Sequence, residues 1–426
     1  MVTEVVTQCP SRAADNMDRT FLAPLLLLIL FDACQSSNRY MVGFMENSKY
    51  PKWLSVFIRA KESGAAVRIR SHSENEPKLN SEYLIQPNAT ILIKISKEYE
   101  VTGTNKSVQG ISIESDQELF ILIHYWVESV YQYTSTSCLA IPVSSLGLSY
   151  YAVTENNRAE ILIIGIYNDT SLRVTGNIPF KYNQVTTDVL TETINEFETV
   201  QLQADSGSLT GTHIHADKVV SVYSGNKYFN QRVLKNPLIQ QLSPVNVWGT
   251  VHITLAPLHC DYNVIIVTGS ADTIVNSSCG QTFELTEAGS STYVAMGNSV
   301  CQLESNHPVS VTMIVLNEAN PLSNSSIMVR VQPLQQVKEL VFFDTNYEMD
   351  TSLILVSDVK EILLDNGPIS LSSVRNTSFY FIRSPVSSGH HVISCDPACS
   401  VSAYVFSYGF QECIGYLIIS NEHAEH

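Results

Sequence analysis

The sequence predicts an all-β protein built from about four copies of a β-sandwich-like module, with the copies packed closely together. Many short segments alternate apolar and polar residues with a period of two, and residues that favour turns separate them. One sequence phrase also recurs about every 90 to 100 residues. Sustained helical periodicity is not found after the N-terminal segment; the nearest approach is residues 186–200. Short strands with regular turn signals are typical of β-sandwiches.

The recurring phrase defines the repeat. It reads GISIESDQELFILI at 110–123, GTHIHADKVVSVYS at 211–224, VCQLESNHPVSVTM at 300–313 and HHVISCDPACSVSA at 390–403. The copies align on Asp116, Asp217, Asn306 and Asp396, which are spaced 101, 89 and 90 residues apart. Apolar residues alternate on both sides of this Asp or Asn, whose side chain can bond the backbone just ahead of it. The pattern therefore predicts a strand, a tight turn and a second strand.

A second set of segments supports the same period. Each copy carries a further strand–turn–strand pattern ahead of the phrase, at 53–71, 160–176, 263–278 and 352–367. We predict four modules, at residues 38–136, 137–235, 236–332 and 333–426. The alternative is a propeller of eight half-module blades, since one blade usually has ~40–50 residues.

Residues 1–37 read as an upstream extension followed by a signal peptide. The stretch MDRTFLAPLLLLILFDACQSS begins at Met17, with Arg19 ahead of an apolar run and small residues after it. This is the layout of a secretory signal, and the run is too short to span a bilayer. We expect translation to start at Met17, the alternative being a signal peptide with a long n-region, and we expect the protein to be secreted. Later segments are also too short to span a membrane, so we predict no membrane span.

Composition and sequons agree with an extracellular protein. Charged residues make up 15% of the chain and the net charge is −16, against a usual charged content of roughly 25%. No Lys/Arg cluster occurs, so nucleic acid is not an expected partner. Glycans would keep a surface with few charged residues hydrated. The predicted N-glycosylation sites are Asn88, Asn105, Asn168, Asn276, Asn324 and Asn376.

Seven of the nine cysteines follow the predicted signal peptide. Cysteines of secreted proteins tend to form disulfides. We predict a pair Cys395–Cys399 across a turn at Asp396-Pro397, and a second pair Cys279–Cys301. The odd number implies that at least one thiol is free or pairs between chains. Zinc is not predicted, because the sequence has no two C-x2-C pairs.

His213 and His215 raise the question of a metal site, because residues two apart on a strand share a face. The corresponding positions of the other copies are mostly polar: Ser112 and Glu114, Gln302 and Glu304, Val392 and Ser394. We therefore interpret the two histidines as part of the exposed face of a half-buried strand. No metal and no cofactor are predicted.

Enzymatic signatures are missing from the sequence. HExxH, GxSxG, phosphate-binding and dinucleotide-binding glycine motifs do not occur. We predict no catalytic residues and a non-enzymatic protein. The alternative is a secreted hydrolase of the glycosidase kind, with carboxylates that converge between modules.

Two phrases carry a resemblance to a known family. KVVSVYSGN (218–226) followed by QQLSPVNVWGTVHITLAPL (240–258) resembles the N-terminal domain of IgGFc-binding proteins, with looser support from 141–154 and 402–416. The resemblance extends from about residue 40 to 416. Its most specific residues are Ser224, Gly225, Asn226, Gln241, Leu242, Pro244, Trp248 and Gly249.

The resemblance implies a secreted binding or scaffolding domain of mucus or extracellular matrix, with a role in adhesion or host defence. The implied partner is an extracellular protein or glycan of the mucin or matrix type, and immunoglobulin Fc by the family name. Many members carry cysteines between the two phrases, whereas residues 227–240 have none here. Members often continue into von Willebrand factor type D modules. This chain ends ten residues after Tyr416, so we expect a short member or a fragment.

Overall fold

The computed structural model describes residues 38–47, 52–73, 76–128, 133–182, 185–204, 206–231, 234–316, 326–334, 340–345, 350–395, 399–408 and 413–418. These residues form β-strands and four single-turn 3-10 helices, at Pro77–Leu79, Lys97–Tyr99, Val143–Ser145 and Val245–Val247. The predicted all-β class is confirmed. The predicted signal peptide, the turn at Asp396-Pro397 and the sequon at Asn324 lie outside the described residues.

The strands fall into four groups, which we call modules 1 to 4. Module 1 contains β1 (Asn38–Val42), β2 (Lys52–Ala60), β3 (Ala65–Ser71), β4 (Ser81–Ile85), β5 (Thr90–Ile95), β6 (Asn105–Val108), β7 (Ile111–Ser115), β8 (Leu119–Glu128) and β9 (Tyr133–Leu139). Module 2 contains β10 (Gly147–Tyr151), β11 (Ala159–Gly165), β12 (Thr170–Tyr182), β13 (Val185–Ile194), β14 (Glu198–Ala204), β15 (His213–Gln231) and β16 (Leu234–Gln241).

Module 3 contains β17 (Gly249–Thr254), β18 (Asp261–Thr268), β19 (Thr273–Ser277), β20 (Thr282–Leu285), β21 (Ser291–Gly297), β22 (Cys301–Leu316) and β23 (Ser326–Val331). Module 4 contains β24 (Leu340–Thr345), β25 (Asp350–Ser357), β26 (Glu361–Leu364), β27 (Gly367–Ser370), β28 (Ser372–Ser373), β29 (Tyr380–Val386), β30 (Gly389–Ser394), β31 (Val401–Tyr408) and β32 (Cys413–Ile418). The residue boundaries predicted for the modules remain predictions.

Each module has two antiparallel sets of strands in the same order, which we call its first and second sheets. In modules 1 and 4 the two are separate, whereas β15 and β22 run through both and join them into one sheet of eight strands in module 2 and of seven in module 3. In module 1 the first sheet is β1-β7-β3-β4 and the second is β5-β2-β8-β9. Modules 2, 3 and 4 repeat this pairing, with β28 added to the edge of module 4 and β6 of module 1 added to β14 of module 2. The two sheets face each other as in a β-sandwich. The sheets are not eight propeller blades, because each belongs to a pair that shares one core.

The hairpin predicted at the recurring phrase is wrong. In module 2 residues 213–224 of the phrase lie within the continuous strand β15, whose first half pairs with β10 and β12 and whose second half pairs with β11 and β16. The chain therefore passes from the first sheet to the second at Asp217 instead of folding back. The segments ahead of the phrase behave alike, since β11 and β12 do not pair with each other but with opposite halves of β15.

The Asp or Asn of the phrase bonds a different strand from the one predicted. Asp116 Oδ1 accepts from Ala66 N (2.9 Å), Asp217 Oδ1 from Ser171 N (2.7 Å) and Asn306 Oδ1 from Ile274 N (2.8 Å). Each donor is the second residue of the strand that lies beside the phrase in the first sheet. A side-chain acceptor at the crossing point thus satisfies a backbone N–H that the ladder leaves unpaired.

The modules close into a ring around their last strands. Strand β9 packs beside β16, β16 beside β23, β23 beside β32, and β32 beside β9. A small cavity of about 40 Å³ lies among these four strands, lined in part by Ser137, Gln240 and Arg330. Module 4 therefore contacts module 1 as well as module 3.

The hydrophobic cores show the same closure. The core of module 1 includes Leu162 and Ile164 of module 2, and the core of module 2 includes Ile265 of module 3. The core of module 3 includes Ile354 of module 4, and that of module 4 includes Leu122 of module 1. Each second sheet is thus apolar on both faces, because one face covers its own core and the other covers a neighbour.

Candidate functional site

The Ser-Gly-Asn phrase of the family resemblance holds the segment that follows β10. Ser224 Oγ accepts from Val153 N (3.2 Å) and donates to Val153 O (2.7 Å). Asn226 Oδ1 accepts from Glu155 N (2.9 Å), and its Nδ2 donates to Glu155 O (2.9 Å) and to Asn157 O (2.8 Å). Both side chains are buried, so this phrase has a structural role.

Gly225 is required by close backbone packing. A Cβ at this position would lie 1.9 Å from Leu238 O on the neighbouring strand β16. No real Cβ approaches another heavy atom so closely, so any larger residue would push the two strands apart. The SGN phrase therefore fixes β15, β16 and the segment after β10 relative to one another.

The second phrase continues this structural role as far as Trp248. Gln241 Oε1 accepts from Ile141 N (2.6 Å) and its Nε2 donates to Ser221 Oγ (2.8 Å). Leu242 is buried in the core of module 2. Pro244 packs against Gly147, where a Cβ would lie 2.6 Å from the proline Cβ. Gly249 pairs with Val309 in module 3.

Trp248 is the member of the motif that reaches the surface. It is half-buried, and its Nε1 donates to Ser243 O (3.2 Å). Its ring lies 6.0 Å from that of Tyr151, which stacks on His213 with a centroid separation of 4.7 Å and an angle of 24°. We call Tyr151, His213, Trp248, His215 and Arg173 the aromatic face.

The aromatic face lies on the first sheet of module 2, at its boundary with module 3. Tyr151 pairs with His213 across β10 and β15. His215 pairs with Ser149 on one side and with Arg173 of β12 on the other. Alternation along these strands places the side chains on the outward side, because Ile214 between the two histidines is buried in the core.

The interpretation of the two histidines holds for His215 and is incomplete for His213. His215 is exposed, whereas His213 is half-buried against Tyr151 and its Nε2 lies 2.8 Å from Ser149 Oγ. Burial lowers the pKa of His213, and the neighbouring His215 lowers it further. Sequence alternation predicted which face the histidine occupies but could not predict the stacking partner on another strand.

The described residues contain no group of three or more His, Cys, Asp or Glu side chains placed to hold a metal ion. Likewise, no helix in these ranges is long and apolar enough to cross a membrane.

The sequons differ in exposure. Asn88, Asn168, Asn276 and Asn376 are exposed. Asn105 is half-buried in β6: its Nδ2 donates to Thr102 O (3.0 Å), and its Oδ1 is buried. Four of the predicted sites are thus accessible for a glycan, whereas a glycan at Asn105 would compete with the pairing of β6 and β14.

The cysteines form two disulfides among the described residues. Cys279 is bonded to Cys301 (Cα–Cα 5.6 Å) and Cys395 to Cys399 (Cα–Cα 5.7 Å). Cys138 is a buried free thiol whose Sγ accepts from Gln241 N (3.0 Å). Burial raises the pKa of Cys138 to about 12, so this thiol is protonated at neutral pH and is not placed to link two chains.

Carboxylates do converge between modules 1 and 2, as the hydrolase alternative requires, but in a buried network. Gln203 Nε2 donates to Glu46 Oε2 and to Glu160 Oε1, both at 2.9 Å. Lys227 forms a salt bridge with Glu46. Glu160 is 1% exposed, so a substrate cannot reach it. The arrangement ties two modules together and gives no support to a hydrolase.

Burial raises the pKa of Glu160 well above its ordinary value, and the charge of Glu46 raises it further. Burial also acts to raise the pKa of Glu46, but hydrogen bonds from Lys227, Gly103 and Gln203 outweigh it and the pKa is lowered. The network therefore favours one protonated and one ionised carboxyl around Gln203.

Comparison with known proteins gives two matches. The family model described as IgGFc binding protein matches residues 136–409. The human protein named IgGFc-binding protein is 26% identical over 230 residues, which is 50% of this chain and 4% of that protein. The matched region begins within β9 and includes modules 2 and 3, the motif residues and the aromatic face.

Proposed function

The chain belongs to the IgGFc-binding protein family, and from this premise we propose that it is a secreted, non-enzymatic glycoprotein that binds a protein or glycan ligand. Its setting would be mucus or extracellular matrix, with an adhesive or host-defence role. The matched part of the chain covers 4% of the length of the human relative. That relative is named for binding IgG Fc, so Fc is one ligand to test for this chain.

Disulfides and exposed sequons support an extracellular location. Disulfides persist in oxidising compartments and are rare in the cytosol. The Cys279–Cys301 bridge joins a loop of module 3 to the start of β22. Asn276 is exposed on β19 of the same module, and its Oδ1 accepts from Thr282 Oγ1 (3.0 Å). A glycan attached to Nδ2 would leave this acceptor in use.

The aromatic face is the feature of the structure that best supports a binding function. Ring closure covers one face of each second sheet, and the sandwich interior covers the other. The outward side of the first sheet of module 2 remains accessible, and it carries Tyr151, His213 and Trp248. Aromatic side chains with a polar group are enriched where proteins bind ligands and partners.

The first experiment is intact-mass analysis of protein collected from the medium of expressing cells, with and without glycan removal and reductant. We expect a product that lacks residues up to about Ser36, carries N-glycans and holds at least four oxidised cysteines. Retention of a full-length, unglycosylated protein with free thiols inside the cell would contradict the proposal. Secreted protein would then be tested for binding to mucin and to Fc.

A further inference from the structure

The four modules repeat one architecture, so equivalent positions show which residues the fold does not require. Strand register places His215 of module 2 opposite β10 and β12 in the way that Glu114 of module 1 faces β1 and β3. Glu304 of module 3 faces β17 and β19 in the same way. The position is therefore acidic in two modules and a histidine in the third. A carboxylate is compatible with this place in the sheet.

The surroundings of this position differ among the three modules. In module 1, Glu114 forms salt bridges with Arg39 and Arg70, and Arg39 also bridges to Glu196 of module 2 at 2.6 Å. The charge of Glu114 is therefore neutralised by two arginines. In module 3 the residue beside Glu304 is Asn276, a glycosylation sequon. In module 2 the residue at this place on the neighbouring strand is Arg173, which is exposed. The equivalent cation of module 1, Arg68, is instead paired with Glu82.

The aromatic face carries a cation, although the protein as a whole is acidic. The net charge of the chain is −16, yet the groups facing His215 are Arg173, His213 and the neutral Ser149 and Tyr151. Asp217 follows on the same side of β15, with one carboxylate oxygen held by Ser171 N. Arg173 is exposed and forms no salt bridge with another described residue.

We propose that the aromatic face binds an acidic saccharide, with Arg173 and His215 contacting its carboxylate or sulfate and Tyr151, His213 and Trp248 packing against its sugar rings. The inference rests on the proposed binding function and names the class of ligand. A guanidinium matches the planar geometry of carboxylates and sulfated groups. Exposed threonine hydroxyls at Thr175 and Thr191 border the face and can hydrogen-bond sugar hydroxyls.

Charge complementarity makes the binding sensitive to salt. Charge–charge attraction at an exposed site is screened within about 8 Å at physiological ionic strength. Binding to an acidic saccharide should therefore weaken when salt is added.

The test uses the secreted full chain and immobilised intestinal mucin, untreated or stripped of sialic acid and sulfate, with 3′-sialyllactose and heparin oligosaccharide as soluble probes. The test variant is His215→Glu, which introduces the residue found at the equivalent places of modules 1 and 3. Glu304→Gln is the matched control in module 3. We expect untreated mucin to bind and stripped mucin to bind at least tenfold more weakly. We also expect His215→Glu to lose at least tenfold in affinity, with Glu304→Gln unchanged.

Two results would overturn the inference while the proposed function stands: equal binding of stripped and untreated mucin, or full binding by a folded His215→Glu variant. Binding of Fc alone, lost in His215→Glu, would also overturn it, because the face would then recognise a protein. If neither mucin nor Fc binds, the proposed function fails together with the inference. Circular dichroism and the urea midpoint of each variant establish that it is folded.

Discussion

Replacement of Asn226 by Ala tests whether the family motif is structural. The side chain makes three hydrogen bonds, at 2.9, 2.9 and 2.8 Å, and is 1% exposed. A buried hydrogen bond contributes about 1 kcal/mol net, so Asn226→Ala should lower the free energy of unfolding by about 3 kcal/mol. With an m-value of about 3 kcal/mol/M, the urea midpoint should fall by about 1 M.

Tryptophan fluorescence can report the transition, because Trp248 lies at the boundary between modules 2 and 3. Asn156→Ala is the matched control, since Asn156 is exposed and close to the same loop. Asn226→Asp keeps the acceptor but loses both donors, so it should be destabilised at least as much as the alanine variant. An unchanged urea midpoint combined with lost ligand binding would refute the interpretation that Asn226 has a structural role and would make it a ligand contact.

Three further predictions concern the core and the network between modules. Burial raises the pKa of Glu160 above the ordinary 4.5, so stability should fall as pH rises from 4.5 through the raised pKa. In Glu160→Gln the urea midpoint should lose this decline, and an equal decline in both proteins would contradict the prediction. Cys138, with its pKa raised to about 12, should react with iodoacetamide only after denaturation; labelling of the native protein at the unfolded rate would show that the thiol is accessible. Leu122→Ala and Ile121→Ala should each lower the free energy of unfolding by about 2–4 kcal/mol. Only Leu122→Ala should speed hydrogen exchange in 350–357 and 401–408, because Leu122 packs in the core of module 4 and Ile121 in that of module 1. Identical exchange patterns in the two variants would argue against ring closure.

Sequence periodicity predicted the class and the repeat because both depend on local patterns. The alignment on Asp116, Asp217 and Asn306 agrees with the strand register, since all three accept from the strand beside them. The same alternation could not show which strands pair. A strand that crosses between sheets and a strand that returns as a hairpin have the same period of two, so the predicted hairpins were wrong.

Closure of the modules into a ring corresponds to a sequence feature that period-two alternation does not explain, namely strands that are buried on both faces. Strand β11 reads AEILIIG and all seven of its residues are buried. An edge or surface strand would have polar residues at alternate positions, whereas an unbroken apolar strand needs cover on both faces. In modules 3 and 4 the central strands β18 and β25 of the second sheets each end in a run of five buried residues. Such runs indicate that a neighbouring module covers the outer face.

The site was less predictable than the fold, because its parts come from separate modules. The resemblance identified Trp248, and strand alternation placed His213 and His215 outward. These side chains come together only because modules 2 and 3 pack against each other. Tyr151 also packs against Gly289 at this boundary, where a Cβ would lie 3.2 Å from Tyr151 Cε1. Contacts between segments nearly 100 residues apart follow from the ring and not from local sequence.

Ring closure also bears on which part of the chain is needed for the site. The family model begins at residue 136, within β9, yet the core of module 4 includes Leu122 and packs against Phe57 and Phe120 of module 1. Without module 1, the core of module 4 would lose the cover that Leu122, Phe57 and Phe120 provide. At about 25 cal/mol per Å² of apolar surface, exposing several such side chains costs several kcal/mol, comparable to the whole stability of a small domain. The matched residues alone therefore lack the cover that closes the ring, and module 1 supplies it in this chain.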